Sequence, residues 1–128
     1  MPTLADITNK PLEKNIEREG ISLWPVLMND KANVNEHEYL YWEFHENKTS
    51  DQAIRMGNWK AVRHDPNGLI ELYDLKNDEK EQNNIADKHP DILNKMQDLL
   101  KHARTDHPLW QLKTGINTKY QTGKDIID

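Results

Sequence analysis

The sequence predicts an α+β fold, in which a small four-stranded antiparallel sheet, a meander, is packed by one C-terminal helix. Two observations predict it. Four short segments between residues 39 and 75 either alternate apolar and polar side chains or are rich in β-forming residues. Short turns separate them. Short connections favour antiparallel neighbours, because parallel strands need long crossovers. A segment with apolar residues at helical spacing then begins at Pro90 and ends before His107 and Pro108.

The first predicted strand is YLYWEFHE, residues 39–46. Its side chains separate at period two into two faces. One face is apolar and contains Leu40, Trp42 and Phe44. The other is mixed and contains Tyr39, Tyr41, Glu43 and His45. We expect the apolar face to form the core. Because a solvated sheet face rarely contains two tyrosines, we expect the mixed face to meet another protein surface.

The segment QAIRMGNWKAVR, residues 52–63, predicts a hairpin closed by Gly57 and Asn58. It carries three cations, Arg55, Lys60 and Arg63. They are candidates to bind an anionic ligand. The favoured alternative is that Arg55 and Arg63 pair with carboxylates such as Glu43 or Glu71 across the sheet. The fourth strand, LIELYDL, spans residues 69–75.

Helical patterns flank the sheet. Residues 1–9 and 21–28 predict an N-terminal helical segment with nothing of its own to pack on. After Pro90 an apolar stripe is expected to cover one face of the sheet. Its members are Ile92, Leu93, Met96, Leu99, Leu100 and Ala103.

Composition excludes several functions. The 128 residues contain no cysteine, carry a net charge of −5 and have a mean hydropathy of −0.99. Disulfides and thiol nucleophiles are therefore excluded, and neither nucleic-acid nor membrane partners are expected. No signal-peptide pattern is present. The histidines suggest no metal site: His102 and His107 form only a weak pattern with Asp106 between them. Neither Ser22 nor Ser50 has a histidine in a recognisable nucleophile setting.

Three segments, in order, resemble the C-terminal region of the arylsulfatase family, whose members are formylglycine-dependent sulfatases. They are YLYWEFHE, QAIRMGNWKAVR and ELYDLKNDEKEQNNIADKHPD. Residues 72–86 of the third follow the family pattern L-Y-D/N-L-x-x-D-x-x-E-x-x-N-I/L-A and are the most specific match. Upstream, MPTLADIT resembles the last helix of the catalytic domain. EGISLWPVLM resembles the connector after it, with Glu19 replacing the usual aspartate.

The resemblance implies three parts. Residues 1–36 would be the end of a catalytic-domain helix and the connector, residues 37–108 the C-terminal sulfatase subdomain, and residues 109–128 an extended tail. Family members use a formylglycine made within a C/S-x-P-x-R motif and a divalent ion, usually calcium. This sequence lacks the motif, because the proline after Ser22 comes one position late. We therefore expect a fragment of a sulfuric ester hydrolase without catalytic residues or a cofactor of its own, inert alone.

The resemblance also implies a partner, the sulfatase catalytic domain, whose substrate entrance the fragment shapes. Residues that would lie against it are Leu4, Ile7, Leu23, Trp24 and Leu27. Without it, we expect self-association or disorder of residues 1–35. The loop after the first strand would lie near the substrate, so that His45, Glu46 and Lys48 are candidates to bind its non-sulfate part; a solvated loop is the alternative. The parent enzyme would be periplasmic or secreted. An independent α+β interaction module without a catalytic role is the alternative function.

Overall fold

The computed structural model describes residues 1–13, 19–46 and 48–115. The chain divides into two compact units, of which the first is Met1–Glu38 and the second begins at Tyr39. Residues 116–128 of the predicted tail lie outside the described residues. No helix in the described part of the chain is long and apolar enough to cross a bilayer.

The first unit contains two short helices, α1 (Pro2–Thr8) and α2 (Trp24–Leu27), each with a proline in its first turn. Proline is tolerated there because the first amides of a helix have no partner within it. The Leu23 amide donates to the Thr3 hydroxyl at 3.0 Å and joins the two helices. Neither helix contains a buried residue. The predicted N-terminal helical segment is confirmed.

The second unit begins with four antiparallel strands in the order β1-β2-β3-β4. They are β1 (Leu40–Phe44), β2 (Asp51–Met56), β3 (Trp59–Arg63) and β4 (Glu71–Asp74). Gly57 closes the β2–β3 hairpin with a φ of 59°, a value that most other residues adopt only with strain. The predicted meander is confirmed, although β4 is shorter than the predicted 69–75.

Helix α3 (Pro90–His102) packs on β2 and β3, and a 3₁₀ helix (Ala86–Lys88) precedes it. Met96 and Leu100 are buried against the sheet, and the rest of the predicted stripe packs around them. The fully buried core residues of the sheet are Ile54, Ala61 and Leu72. Each lies on the strand face that α3 covers. The C-terminal helix is therefore confirmed as the element that buries the sheet.

The prediction for the faces of β1 is wrong. Leu40, Trp42 and Phe44 are 40%, 48% and 49% exposed, so Trp42 is not a core residue. Tyr41 instead lies on the helix side, because it pairs directly with the buried Ile54. Opposite residues of neighbouring strands share a face, so β2 decides which side of β1 turns inward. The mixed face is covered in part by other residues of this chain. We call Leu40, Trp42 and Phe44 the outer face of β1.

Candidate functional site

The segment after α3, residues 103–115, crosses the end of the sheet beside the β1–β2 loop. Backbone and side-chain hydrogen bonds hold it there. The Ser50 amide donates to the Lys113 carbonyl at 2.9 Å, and the Lys113 amide donates to Ser50 Oγ at 2.7 Å. The Gly115 amide donates to Asp65 Oδ2 at 2.8 Å. We call residues 103–115 the strap.

A buried carboxylate, that of Glu43, lies beneath the strap. Its Oε1 accepts a hydrogen bond from the Tyr41 hydroxyl at 2.5 Å, and its Oε2 lies 2.9 Å from His45 Nε2. Arg104 Nε, from the strap, lies 2.6 Å from Oε1, although its N–H does not point along a hydrogen bond. Only 12% of the Glu43 side chain and 9% of the Arg104 side chain are exposed. The mixed face of β1 can be buried because its charge is neutralised there.

The pKa values of this cluster follow from burial and from these partners. Burial by itself raises the pKa of the Glu43 carboxyl, but hydrogen bonds from Tyr41 and His45 and the charge of Arg104 outweigh it and hold this pKa below its usual range. Burial and the Glu43 carboxylate raise the pKa of Tyr41 above its usual value. At neutral pH the carboxylate is therefore ionised and the phenol remains its donor.

The hydrogen bonds continue from Tyr41 across the sheet to Arg63. Gln52 Nε2 donates to the Tyr41 hydroxyl at 2.6 Å, and Arg63 donates to Gln52 Oε1 through Nη2 at 2.5 Å and through Nε at 3.2 Å. Burial lowers the pKa of the Arg63 guanidinium. Arg63 therefore stabilises the packing of three strands, and its guanidinium is hydrogen-bonded within the domain.

The other two hairpin cations have different partners. Lys60 Nζ lies 2.5 Å from Glu81 Oε1 in the segment after β4. Arg55 is exposed, and its Nε donates to the Gly57 carbonyl at 3.0 Å. The expected pairing of Arg55 and Arg63 with Glu43 or Glu71 is therefore wrong. Arg55 bonds the Gly57 carbonyl and Arg63 bonds Gln52, whereas Lys60 pairs with Glu81. Glu43 pairs with Arg104, a residue that the sequence patterns did not single out.

Ser50, His45 and Glu43 form a hydrogen-bonded series. Ser50 Oγ lies 2.7 Å from His45 Nδ1, and His45 Nε2 lies 2.9 Å from Glu43. The fold thus brings a histidine to Ser50, a contact that no sequence pattern indicated. Ser50 is nonetheless fully buried and its Oγ accepts the Lys113 amide. A nucleophile must reach a substrate, so this series positions the strap.

Two of the three predicted substrate-binding residues line a cavity of about 330 Å³ between β1 and the strap. They are His45 and Glu46; Lys48 is exposed and is not part of this lining. The strap contributes Trp110, whose ring meets the His45 ring at a centroid distance of 4.8 Å and an angle of 68°. The remaining lining residues are Glu43, Phe44, Leu109, Gln111 and Lys113. No periodicity in the sequence points to Trp110, because only the fold of the strap brings it here.

The described residues do not fit the divalent ion that the resemblance implies for the parent enzyme. They contain no group of three or more histidine, cysteine, aspartate or glutamate residues that could hold a metal ion. His102 contacts the Asp98 carbonyl, and His107 contacts the Leu109 amide. We therefore derive no chemistry through such an ion in this chain.

Comparison with protein families decides what kind of domain this is. The family model described as N-sulphoglucosamine sulphohydrolase, C-terminal, matches residues 1–106. The chain belongs to this family. The resemblance to the C-terminal region of sulfatases is thereby confirmed, and the strap beyond Asp106 lies outside the matched residues.

Curated relatives and solved structures agree with this assignment. Arylsulfatase K of Rattus norvegicus is 34% identical over 100 residues, which cover 71% of this chain and 17% of the relative. Arylsulfatase K of Homo sapiens is 30% identical over 118 residues, which cover 84% of this chain and 21% of the relative. The chain thus spans about a fifth of the length of these relatives.

Among solved structures, i-CgsB in complex with k-i-k-neocarrahexaose is 26% identical to this chain, with a TM-score of 0.67. The match covers 92% of this chain and 26% of the i-CgsB chain. A 2-O GAG sulfatase has 25% identity and a TM-score of 0.67 and covers 88% and 26%. This sulfatase C-terminal domain therefore has the fold of that part of much longer sulfatase chains.

Proposed function

We propose that this sulfatase C-terminal domain belongs to an arylsulfatase-like sulfuric ester hydrolase, packs on the catalytic domain, shapes its substrate entrance and is inert alone. In this proposal residues 1–36 are the end of the catalytic-domain helix and the connector. The formylglycine and the divalent ion, usually calcium, belong to the catalytic domain. The whole enzyme would act in the periplasm or outside the cell.

The observation that supports packing on a catalytic domain is the outer face of β1. Leu40, Trp42 and Phe44 lie on one side of an ordered strand and are between 40% and 49% exposed. An antiparallel sheet with one solvated face normally places polar residues there. A contiguous exposed apolar patch instead marks an interaction surface. The catalytic domain is the partner that the family assignment supplies, and in its absence the same face favours self-association.

The proposal for the substrate entrance concerns the β1–β2 loop. We place His45, Glu46 and Lys48 against the part of the substrate that is not sulfate. The side chains of Glu46 and Lys48 are exposed, so they are available to hydroxyl groups. A relative of known structure is bound to a carrahexaose and another is a GAG sulfatase, which supports a sulfated glycan as the substrate class here.

The packing proposal is tested by mixing this chain with a separately produced catalytic domain of the same enzyme. We expect Trp42→Asp to weaken their association at least tenfold, because a carboxylate would be buried in an apolar interface. Leu69→Asp is the matched control: Leu69 is 68% exposed and lies outside the outer face of β1. Equal binding of Trp42→Asp and the unaltered chain would reject this interface.

The inertness of the isolated chain is tested with a chromogenic aryl sulfate, with and without calcium. We expect no product above a buffer blank, since no group in the chain supplies the sulfatase nucleophile. Turnover that persists through repurification would contradict the proposal. A folded chain that neither associates with a catalytic domain nor hydrolyses the ester would favour the alternative, an independent interaction module.

A further inference from the structure

We propose that the cavity between β1 and the strap binds an uncharged pyranose ring, for which Trp110 is the stacking platform. That this ring is part of a sulfatase substrate rests on the proposed function. Binding of the sugar by this chain does not rest on the proposed function, because every lining residue belongs to this chain and to one compact unit.

The first argument is that Trp110 is exposed and yet held in place. It is 60% exposed. Its amide donates to the His107 carbonyl at 3.0 Å, and its own carbonyl accepts a hydrogen bond from Arg104 Nη2. The edge-to-face contact with His45 fixes its ring. A large aromatic surface that is ordered before binding loses little conformational entropy when a ligand stacks on it.

The second argument is the mixture of groups around the cavity. Phe44, 49% exposed, adds a second aromatic surface, and Glu46 and Gln111 add exposed polar side chains. Its volume of about 330 Å³ is that of a small-molecule site, for which ~300–1,000 Å³ is usual. A pyranose presents C–H groups on its faces and hydroxyl groups at its edge. The faces match the aromatic rings, and the hydroxyls match the carboxylate and the amide.

The third argument is charge, which distinguishes an uncharged sugar from a sulfate group. The Lys113 ammonium donates to the His45 carbonyl at 2.6 Å. Both ring nitrogens of His45 are bonded, one to Glu43 and the other to Ser50. Glu46 adds a negative charge to the rim. Among the lining residues the carboxylates of Glu43 and Glu46 outnumber the Lys113 ammonium. An anion entering the cavity would therefore find no net positive charge, whereas hydroxyl groups need none.

The fourth argument is that half of the cavity wall comes from the strap, which contributes Leu109, Trp110, Gln111 and Lys113. These residues give the strap a role in binding beyond its contacts with Ser50 and Asp65.

The experiment is calorimetric and NMR titration of the full 128-residue chain with cellotriose, maltotriose and N,N′,N″-triacetylchitotriose. At least one of these sugars is expected to bind and to shift the indole N–H signal of Trp110. That signal is assigned by its absence from the spectrum of Trp110→Phe. Trp110→Ala should weaken that binding at least tenfold, while Trp110→Phe, which keeps an aromatic face, should weaken it less. Leu69→Ala is the matched control, since Leu69 is an exposed apolar residue outside the cavity.

The outcomes separate this proposal from the proposed function. Absence of binding by all three sugars at about 10 mM would overturn it, as would tighter binding of a sulfated trisaccharide or of sodium sulfate than of the uncharged sugar. Phenol binding without sugar binding would also overturn it, because the cavity would then select aromatic groups. If Trp110→Ala unfolds, a Glu46→Ala/Gln111→Ala double variant replaces it, and unchanged affinity of that variant would reject the site. A chain that associates with a catalytic domain and binds no sugar refutes this proposal alone.

Discussion

Arg104 Nε lies 2.6 Å from Glu43 Oε1, so an ion pair joins the start of the strap to the first strand. Both side chains are close to fully buried. The contact explains how a strand face with a carboxylate, a phenol and an adjacent imidazole lies inside the domain. It also fixes the strap from which Trp110 reaches the cavity, since Arg104 bonds the Trp110 carbonyl too.

Arg104→Ala is expected to destabilise the domain by about 3 kcal/mol, because removal of one partner leaves the Glu43 charge buried without its counter-ion. Urea unfolding followed by circular dichroism measures the change. Arg55→Ala is the control: Arg55 is exposed, and its loss should change the free energy of unfolding by less than about 0.5 kcal/mol. Equal effects of the two substitutions would show that the buried ion pair contributes nothing of its own.

The stability of the domain is expected to fall in acid because of Glu43. Its folded-state pKa is held below the ordinary value of 4.5, so folding favours the ionised form. The resulting stabilisation is present above the unfolded-state pKa and is lost as the pH falls through the folded-state pKa. Glu43→Gln should therefore be less stable than the unaltered chain at pH 7, and the difference should shrink toward pH 3. Glu46→Gln, at an exposed position, is the control; parallel pH profiles for Glu43→Gln and the unaltered chain would contradict the assignment.

Substitutions at Glu46 and Arg63 are expected to separate substrate binding from stability in the intact enzyme. Glu46→Ala should lower kcat/KM roughly tenfold, or about 1.4 kcal/mol, with an unchanged melting temperature. Arg63→Ala should lower the melting temperature and leave kcat/KM unchanged, because its guanidinium is bonded to Gln52. His45→Ala should lower both, since only 8% of that side chain is exposed. Unchanged kinetics for Glu46→Ala on the natural substrate would remove the loop from the site.

Ser50→Ala is expected to loosen the strap. The substitution removes the acceptor of the Lys113 amide and a partner of His45, so the free energy of unfolding should fall by about 1–3 kcal/mol. Hydrogen exchange should quicken at the amides of Lys113 and Gly115 more than in α3. Thr105→Ala, at an exposed position of the strap, provides the comparison. Unaltered exchange at Lys113 would mean that other contacts hold the strap.

The sequence by itself determined the order of the elements and the family. Gly57 marks the hairpin because its turn needs a positive φ, and the stripe of α3 marks a buried helix because its period is that of a helix. These are local signals, set by residues a few positions apart, and they could be predicted. The pattern in residues 72–86 likewise lies within one short segment, so it could indicate the resemblance to the sulfatase family.

The tertiary structure decided which face of β1 is buried and which residues form the cavity. A period of two divides a strand into two faces but does not say which one lies inward. Pairing of Tyr41 with Ile54 and neutralisation of Glu43 by Arg104 made that choice. The cavity depends likewise on the strap, where Trp110 meets His45. Contacts between residues far apart in the chain depend on the folded path between them, and no spacing within a single segment records that path.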